Sequence, residues 1–198
     1  MNTLRDMRKA IRNVRDDAVL LGEVWEDASN KVAYGQPRCY RPGDTLDSVM
    51  NYPLRRAIID FFTGVCDAHH LRRVILHQQE VYPAPFFYSL MNLLGSHDTP
   101  RIISMLADIG DMAPDRVYRH PFMMDPDDYA RGRRRLIAAW SLVCALPGMP
   151  CLYYGDEALM EGYKDPFNRR TYPWGREDSE MLGHFRRLGA RRRELEVL

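Results

Sequence analysis

The sequence lacks the features that would direct it to a membrane or a nucleic acid. No apolar run approaches the roughly 20 residues of a membrane-spanning helix, and residues 1–6 lack the apolar core of a signal peptide. An excess of one charge sign is also missing, because the formal net charge is +1. Two arginine-rich clusters, at 131–135 and 191–193, have acidic neighbours, which favours a solvated helix face over an RNA site. We therefore expect neither a membrane nor a nucleic acid as a partner.

Cysteine pairs with metal-binding or redox spacing are missing too. The four cysteines show no CxxC spacing, and two of them lie inside apolar runs. Such residues are typical of buried free thiols in a reducing compartment, so the pattern predicts a cytoplasmic location. The residues concerned are Cys39, Cys66, Cys144 and Cys151.

No set of metal ligands is evident in the sequence. His69, His70 and His77 crowd one helical stretch, but no further ligands accompany them. Surface or helix-packing histidines are therefore favoured over a zinc site. No loop with clustered oxygen ligands is evident, which leaves calcium dependence open. We expect no cofactor and assign no metal ligand.

What the sequence does contain is an ordinary globular composition, with 45% hydrophobic and 28% charged residues. Predicted strands and helices alternate four times, without an internal repeat or a low-complexity tract. This alternation favours a single α/β unit over two domains.

Helical periods and capping residues locate several elements. Asp125 has the form of an N-cap before Pro126 at the first helical position, and Ser179 is predicted to cap the last helix. Residues 151–154 are predicted to be the last strand, and residues 29–45 a long connection. The first helix is predicted from an apolar stripe of Leu4, Met7, Ile11 and Val14.

Two acidic residues follow apolar runs that have the character of buried strands. Glu23 comes after Leu20, Leu21 and Gly22, and Asp98 follows the run that ends at Gly95. A buried parallel strand that ends in this way delivers its acid to the carboxyl edge of a sheet, where active sites are built. The two strand ends therefore predict one shared pocket.

These segments resemble signature segments of the α-amylase family of glycoside hydrolases, in its neopullulanase and cyclomaltodextrinase branch. Residues 22–28 resemble the segment that carries the family's general acid/base, and residues 95–101 the one with its transition-state-stabilising Asp. Three further segments resemble the sixth strand, the eighth strand and a sugar-binding loop, and their order and spacing agree with the family. They are residues 46–53, 148–157 and 165–170.

The resemblance implies an α/β fold, the second half of a (β/α)8 barrel with strands five to eight and their helices, and we expect residues 1–198 to form this partial catalytic barrel. A complete barrel usually takes about 250 residues. The family's carboxylate nucleophile lies on the fourth strand, in an Arg-x-Asp segment. Residues 1–21 are instead predicted to be a helix and the next strand, so the nucleophile is expected to be missing.

The resemblance also implies roles for six residues. Glu23 matches the proton donor and Asp98 the residue that stabilises the distorted sugar ring. His97 is implied to bind the same sugar, and Trp25 to stack on a sugar ring, with a core tryptophan as the alternative. Asp165 and Arg169 resemble a pair that holds the next glucose unit, although a surface ion pair is equally consistent with their positions.

The implied function is retaining hydrolysis of α-1,4-glucosidic bonds, with maltooligosaccharides, cyclomaltodextrins or pullulan as substrates. Without a nucleophile, the chain alone is expected to be inactive. Four parallel strands leave two open edges, so we also expect a homo-oligomer or a complementary half-barrel partner. A non-catalytic glucan-binding or assembly fragment is the alternative.

Overall fold

The computed structural model describes residues 2–38, 40, 43–107, 124–163 and 165–194, and contains both strands and helices. The strands are β1 (Leu21–Gly22), β2 (Val32–Ala33), β3 (Gln36–Pro37), β4 (Ser48–Val49), β5 (Met91–Leu93) and β6 (Met149–Cys151). The helices are α1 (Asn2–Val14), α2 (Tyr52–Thr63), α3 (Ala68–Val81), α4 (Ala84–Tyr88), α5 (Ile102–Leu106), α6 (Pro126–Ala145) and α7 (Ser179–Glu194), and a 3₁₀ turn spans Phe167–Arg169.

The strands β1, β4, β5 and β6 lie side by side in that order, and the β2–β3 hairpin rather than a helix lies between β1 and β4 along the chain. β1 pairs with β4 in parallel, with Leu21 opposite Ser48, and Met50 forms a parallel bridge with Met91 at the start of β5. β5 in turn pairs with β6, where the Met149 N–H donates to the Leu90 carbonyl at 2.8 Å. Parallel neighbours need a crossover connection, and α2, α3 and α4 lie between β4 and β5.

The chain divides into two units. The first contains Met1–Ala57, Ala68–Asn92 and Pro147–Met149, and the second contains Ile58–Asp67, Leu93–Leu146 and Pro150–Leu198. The single-domain organisation expected from the sequence stays a prediction. Each unit has its own apolar contacts.

In the core of the first unit, β4 and the end of β1 pack against α4. Its members are buried hydrophobic residues: Val24, Ala28, Leu46, Val49, Tyr82, Phe86, Phe87 and Leu90. Leu4 of α1 packs against this cluster, but Val14 is 89% exposed. Ion pairs hold α1 instead, since Arg8 and Arg12 contact Asp47 at 2.5 and 3.1 Å. The apolar stripe predicted for this helix is thus only partly used in packing.

The core of the second unit lies between α5, α6 and α7. α6 can approach α5 because Gly132 has no side chain: a Cβ there would lie 2.6 Å from the Ile103 carbonyl oxygen. Trp140 of α6 stacks on Phe185 of α7, with ring centroids 4.9 Å apart. Arg192 donates to the Cys144 and Leu146 carbonyls and so satisfies the C-terminal end of α6.

The predicted helix caps have different outcomes. Asp125 caps α6 as expected, because its carboxylate accepts from the N–H groups of Asp127 and Asp128. Ser179, in contrast, is wrong as the cap of α7. The carboxylate of Asp178 accepts from the Met181 N–H at 2.9 Å, so the capping residue lies one position earlier.

Two predictions about irregular segments also need correction. The connection at 29–45 contains a hairpin, in which β2 pairs with β3 in antiparallel orientation across a turn at Tyr34 and Gly35. Both turn residues have positive φ, +54° and +70°, as a tight two-residue hairpin requires. The last strand is β6 at Met149–Cys151 rather than 151–154, and Tyr154 lies in the turn that follows.

Cys66, Cys144 and Cys151 carry thiols in the described part of the chain, while Cys39 lies outside it. Of these three described cysteines only Cys144 is buried, so among them the expectation of a buried thiol holds for Cys144. Burial raises the pKa of Cys144 and of Cys151, which keeps both thiols protonated. Among the described helices, none combines the length and apolar character that crossing a membrane requires.

Candidate active site

Glu23 is the first residue after β1. At Gly22 the strand runs so close to Leu46 that a Cβ at this position would overlap the Leu46 side chain. Beyond Gly22, Glu23 is exposed and Val24 is buried, so the acid points away from the core. The Tyr52 hydroxyl donates to Glu23 Oε1 at 3.0 Å. The acid therefore stands at the carboxyl end of the strand, as predicted, with its carboxyl group oriented by a tyrosine.

Tyr52 also supports Trp25. The two rings are stacked, with centroids 3.9 Å apart and planes 11° from parallel. Trp25 is 47% exposed and Tyr52 only 4%, so Trp25 is not a core tryptophan. Sequence reasoning missed Tyr52 as a site residue. Its position just beyond β4, the neighbour of β1, was the signal that could have identified it.

A hydrogen-bond cluster around Asp27 fixes the loop after Glu23. The Asp27 carboxylate accepts from the Ser29 N–H at 2.7 Å and the Tyr82 hydroxyl at 2.9 Å, and His77 Nε2 lies 2.9 Å away. Burial acts to raise the pKa of Asp27, but these hydrogen bonds outweigh burial and hold it below its usual value. His77 is therefore a partner of the loop, in line with a helix-packing role.

The second unit places His97, Asp98, Asp165 and Arg169 together. Arg169 Nη2 donates to Asp98 Oδ1 at 2.8 Å, and Arg169 Nε lies 3.3 Å from Asp165 Oδ1. His97 Nε2 is 3.3 Å from Asp98 Oδ2. Asp98 and Arg169 each have side chains 42% exposed, so the cluster is open to a ligand. A carboxylate between a guanidinium and an imidazole suits recognition of sugar hydroxyls.

Asn168 fixes the backbone on both sides of Asp98. It is fully buried, and its Nδ2 donates to the carbonyls of His97 at 2.7 Å and Thr99 at 2.9 Å. Thr99 Oγ1 closes the turn by accepting from the Ser96 N–H at 3.0 Å. Asn168 lies in segment 165–170, which the sequence analysis identified, but no sequence pattern indicates that a loop asparagine is buried.

The segment after β6 is held by a buried charge. Arg101 is 1% exposed, lies 3.4 Å from Asp156 and donates to the Tyr154 carbonyl. Its guanidinium also lies 4.6 Å from the ring centroids of both Tyr153 and Tyr154. These contacts give Asp156 and the two tyrosines a packing role around the Arg101 guanidinium.

The letters Arg-x-Asp do occur once before Glu23, at Arg15 and Asp17. Both side chains are exposed, and they pair with each other 2.5 Å apart in the turn after α1. Because they lie outside any strand, they do not match the nucleophile segment.

The six predicted site residues are divided between the two units. Glu23 and Trp25 lie in the first unit, and the other four lie in the second.

The sequence of this chain matches a family model over residues 1–190, and that model describes the catalytic domain of α-amylase. The chain belongs to the α-amylase catalytic-domain family. The resemblance drawn from the five motifs is therefore confirmed.

Characterised relatives are named as α-glucan hydrolases. The amylopullulanase of Thermoanaerobacter thermohydrosulfuricus is 39% identical over 202 residues, which cover 96% of this chain and 12% of that protein. The cyclomaltodextrinase of Geobacillus thermopakistaniensis is 30% identical over 197 residues, or 98% of this chain and 28% of the relative. The neopullulanase 2 of Thermoactinomyces vulgaris is 32% identical over 171 residues, or 86% and 24%.

Solved structures of the family have the same fold. The cyclic α-maltosyl-(1→6)-maltose hydrolase of Arthrobacter globiformis, in complex with that sugar, aligns with a TM-score of 0.76 at 27% identity, over 98% of this chain and 37% of that one. A cyclomaltodextrinase aligns with a TM-score of 0.75 at 27% identity, over 96% and 28%. These are (β/α)8-barrel enzymes, and this chain spans less than half the length of each.

Proposed function

We propose that this chain supplies the acid-bearing part of a retaining α-glucan hydrolase active site. It corresponds to strands five to eight of the barrel, namely β1, β4, β5 and β6 in that order. The pairing of these strands in sequence order, through the Leu21–Ser48 and Met50–Met91 neighbours, supports the assignment. The proposed reaction is hydrolysis of α-1,4-glucosidic bonds in maltooligosaccharides, cyclomaltodextrins or pullulan.

The observation that carries this proposal is the setting of Glu23. Its carboxyl group stands directly beyond a parallel strand, held by the Tyr52 hydroxyl and beside the half-exposed ring of Trp25. Glu23 donates a proton to the glycosidic oxygen as the bond breaks, and Trp25 stacks on a sugar ring beyond the cleavage point. Asp98 and His97 hydrogen-bond hydroxyls of the reacting sugar, and Asp98 stabilises its distorted, oxocarbenium-like ring. Asp165 and Arg169 hold the next glucose unit.

Retention requires a second carboxylate that attacks the sugar and forms a covalent intermediate. In the part of the chain that the structure describes, no Arg-x-Asp segment lies on a strand, and the chain covers 28% of the cyclomaltodextrinase relative. We place the nucleophile outside these residues, so the chain alone binds glucans without turning them over. The three described cysteines are free thiols, as is usual in a reducing compartment, so the proposed location is the cytoplasm.

The test measures both activities on the purified chain. Reducing-sugar release from cyclomaltodextrin and pullulan is expected to be absent, while calorimetry detects binding of maltooligosaccharides. Release that disappears in Glu23→Gln would refute inactivity and support the acid role of Glu23. Release that persists in Glu23→Gln would refute both the inactivity and the acid role.

A second candidate is a glucan-binding or assembly fragment without catalytic purpose. The aromatic pair Trp25 and Tyr52 favours it, because a stacked, half-exposed ring binds sugars without any proton transfer. Affinity that survives Glu23→Gln but is lost in Trp25→Ala or Asp165→Ala would favour this role.

Assembly is part of the proposal. Open strand edges are a template for pairing, so we propose a homodimer or a complementary half-barrel. Light scattering at micromolar concentration tests the homodimer, and a monomeric mass would contradict it.

A further inference from the structure

Trp174 is the most exposed tryptophan of the chain. Trp140 is 6% exposed and stacks on Phe185, and Trp25 is 47% exposed and stacks on Tyr52, but Trp174 is 80% exposed. An indole ring is the largest apolar side chain, and leaving it in water forgoes its burial free energy. A tryptophan held in this way indicates a contact with something outside the chain.

The backbone that carries Trp174 nevertheless forms a defined turn. The backbone N–H of Trp174 donates to the Tyr172 carbonyl at 3.0 Å, and the Arg176 N–H donates to the Pro173 carbonyl at 3.0 Å. Gly175 adopts a φ of +75°, which completes the turn. The Tyr172 ring lies beside Trp174, with centroids 4.6 Å apart and planes inclined by 53°. The rings of Tyr172 and Trp174 are therefore inclined to each other and together form an aromatic surface on this turn.

Acceptors for hydroxyl groups flank this aromatic pair. Two carboxylates, Glu157 and Glu177, lie near enough to act electrostatically on the Tyr172 hydroxyl. Loss of hydration and these carboxylates raise the pKa of Tyr172, so its hydroxyl stays a neutral donor. A second tyrosine ties the turn to the segment after β6, because the Tyr154 hydroxyl donates to the Arg170 carbonyl at 2.9 Å.

We propose that Tyr172 and Trp174 form a second sugar-binding site, at which a glucose unit of an α-glucan stacks on the indole ring. The electron-rich face of an aromatic ring attracts the C–H groups of a pyranose, and carboxylates accept hydrogen bonds from its hydroxyls. The ligand class rests on the proposed function of the chain. The site uses none of the six residues assigned to that function, so it anchors glucan independently of Glu23 and Asp98.

The experiment measures the affinity of the full chain for maltoheptaose by calorimetry, with Trp25→Ala as the background that removes the other aromatic contact. Adding Trp174→Ala is expected to raise the Kd at least about fivefold, whereas Trp174→Phe, which keeps a stacking face, has a smaller effect. Tyr34→Ala is the matched control, because Tyr34 is 96% exposed and lies on a separate hairpin. Cellohexaose, with β linkages, tests whether the angle between the rings selects the α-glucan shape.

The result that overturns the site is an unchanged Kd in Trp174→Ala, or a Kd that changes equally in Tyr34→Ala. A change in the light-scattering mass of Trp174→Ala without a change in Kd would also overturn it, and would show that protein covers the ring. Failure of the proposed function would give a different experimental result from failure of this second site. Hydrolysis that persists in Glu23→Gln would refute the acid role, while the dependence of maltoheptaose binding on Trp174 would remain.

Discussion

Arg169 Nη2 donates a 2.8 Å hydrogen bond to Asp98 Oδ1 across 71 positions of sequence. The same guanidinium reaches Asp165 and the His97 carbonyl, so one side chain organises three predicted site residues. The pair that sequence motifs assigned to sugar binding is thus tied to the proposed ring-stabilising aspartate.

Replacing Arg169 by alanine is expected to weaken maltooligosaccharide binding several-fold while changing the free energy of unfolding by less than about 1 kcal/mol, because exposed ion pairs contribute little to stability. Calorimetry and urea unfolding measure the two effects. Arg15→Ala serves as the control, since Arg15 also forms an exposed ion pair, with Asp17. An unchanged affinity in Arg169→Ala would show that the contact between Arg169 and Asp98 is only a surface ion pair.

Asn168→Ala is expected to destabilise the chain by about 1–3 kcal/mol, because it removes a buried donor from two carbonyl groups. Those carbonyls belong to His97 and Thr99, on either side of Asp98, so glucan affinity is expected to fall as well. Urea unfolding with Asn30→Ala, a change at an exposed asparagine, provides the comparison. Equal stability of the two variants would contradict the clamping role.

Tyr52→Ala is expected to cost about 3–5 kcal/mol of stability, because it removes a buried aromatic ring. Tyr52→Phe keeps the stack with Trp25 and loses only the hydrogen bond to Glu23, so its cost is about 1 kcal/mol. The difference in tryptophan fluorescence between each variant and the same variant with Trp25→Phe isolates the signal of Trp25 from those of Trp140 and Trp174. A Trp25 signal that is the same in Tyr52→Ala as in the wild type would refute the supporting role of Tyr52.

The cluster at Asp27 predicts a loss of stability in acid. The native pKa of Asp27 lies below its ordinary value of about 3.9, so the carboxylate contributes stability that is complete above that value. This contribution is lost as the pH falls through the native pKa. Urea unfolding between pH 7 and pH 3 is expected to show a shallower pH dependence in Asp27→Asn than in the wild type. Identical slopes would show that Asp27 does not link folding to protonation.

Several elements were predictable because their signals are local. The Asp125 cap follows from one side chain and the N–H groups next to it, and the strand before Glu23 follows from a short apolar run that ends at glycine. The hairpin turn at Tyr34 and Gly35 was missed, since tyrosine is an unusual residue for a positive φ. The cap of α7 was displaced by one residue because Asp178 and Ser179 both have capping side chains.

The sequence by itself determined the family and the place of Glu23 directly after a strand, since both are encoded in short runs of neighbouring residues. Only the tertiary structure decided which side chains orient those groups. Tyr52 reaches Glu23 across 29 positions and Asn168 reaches His97 across 71, and distances in the fold, not spacing in the chain, create such contacts. Exposure was decided in the same way, because whether a tryptophan is buried like Trp140 or open like Trp174 depends on what packs against it.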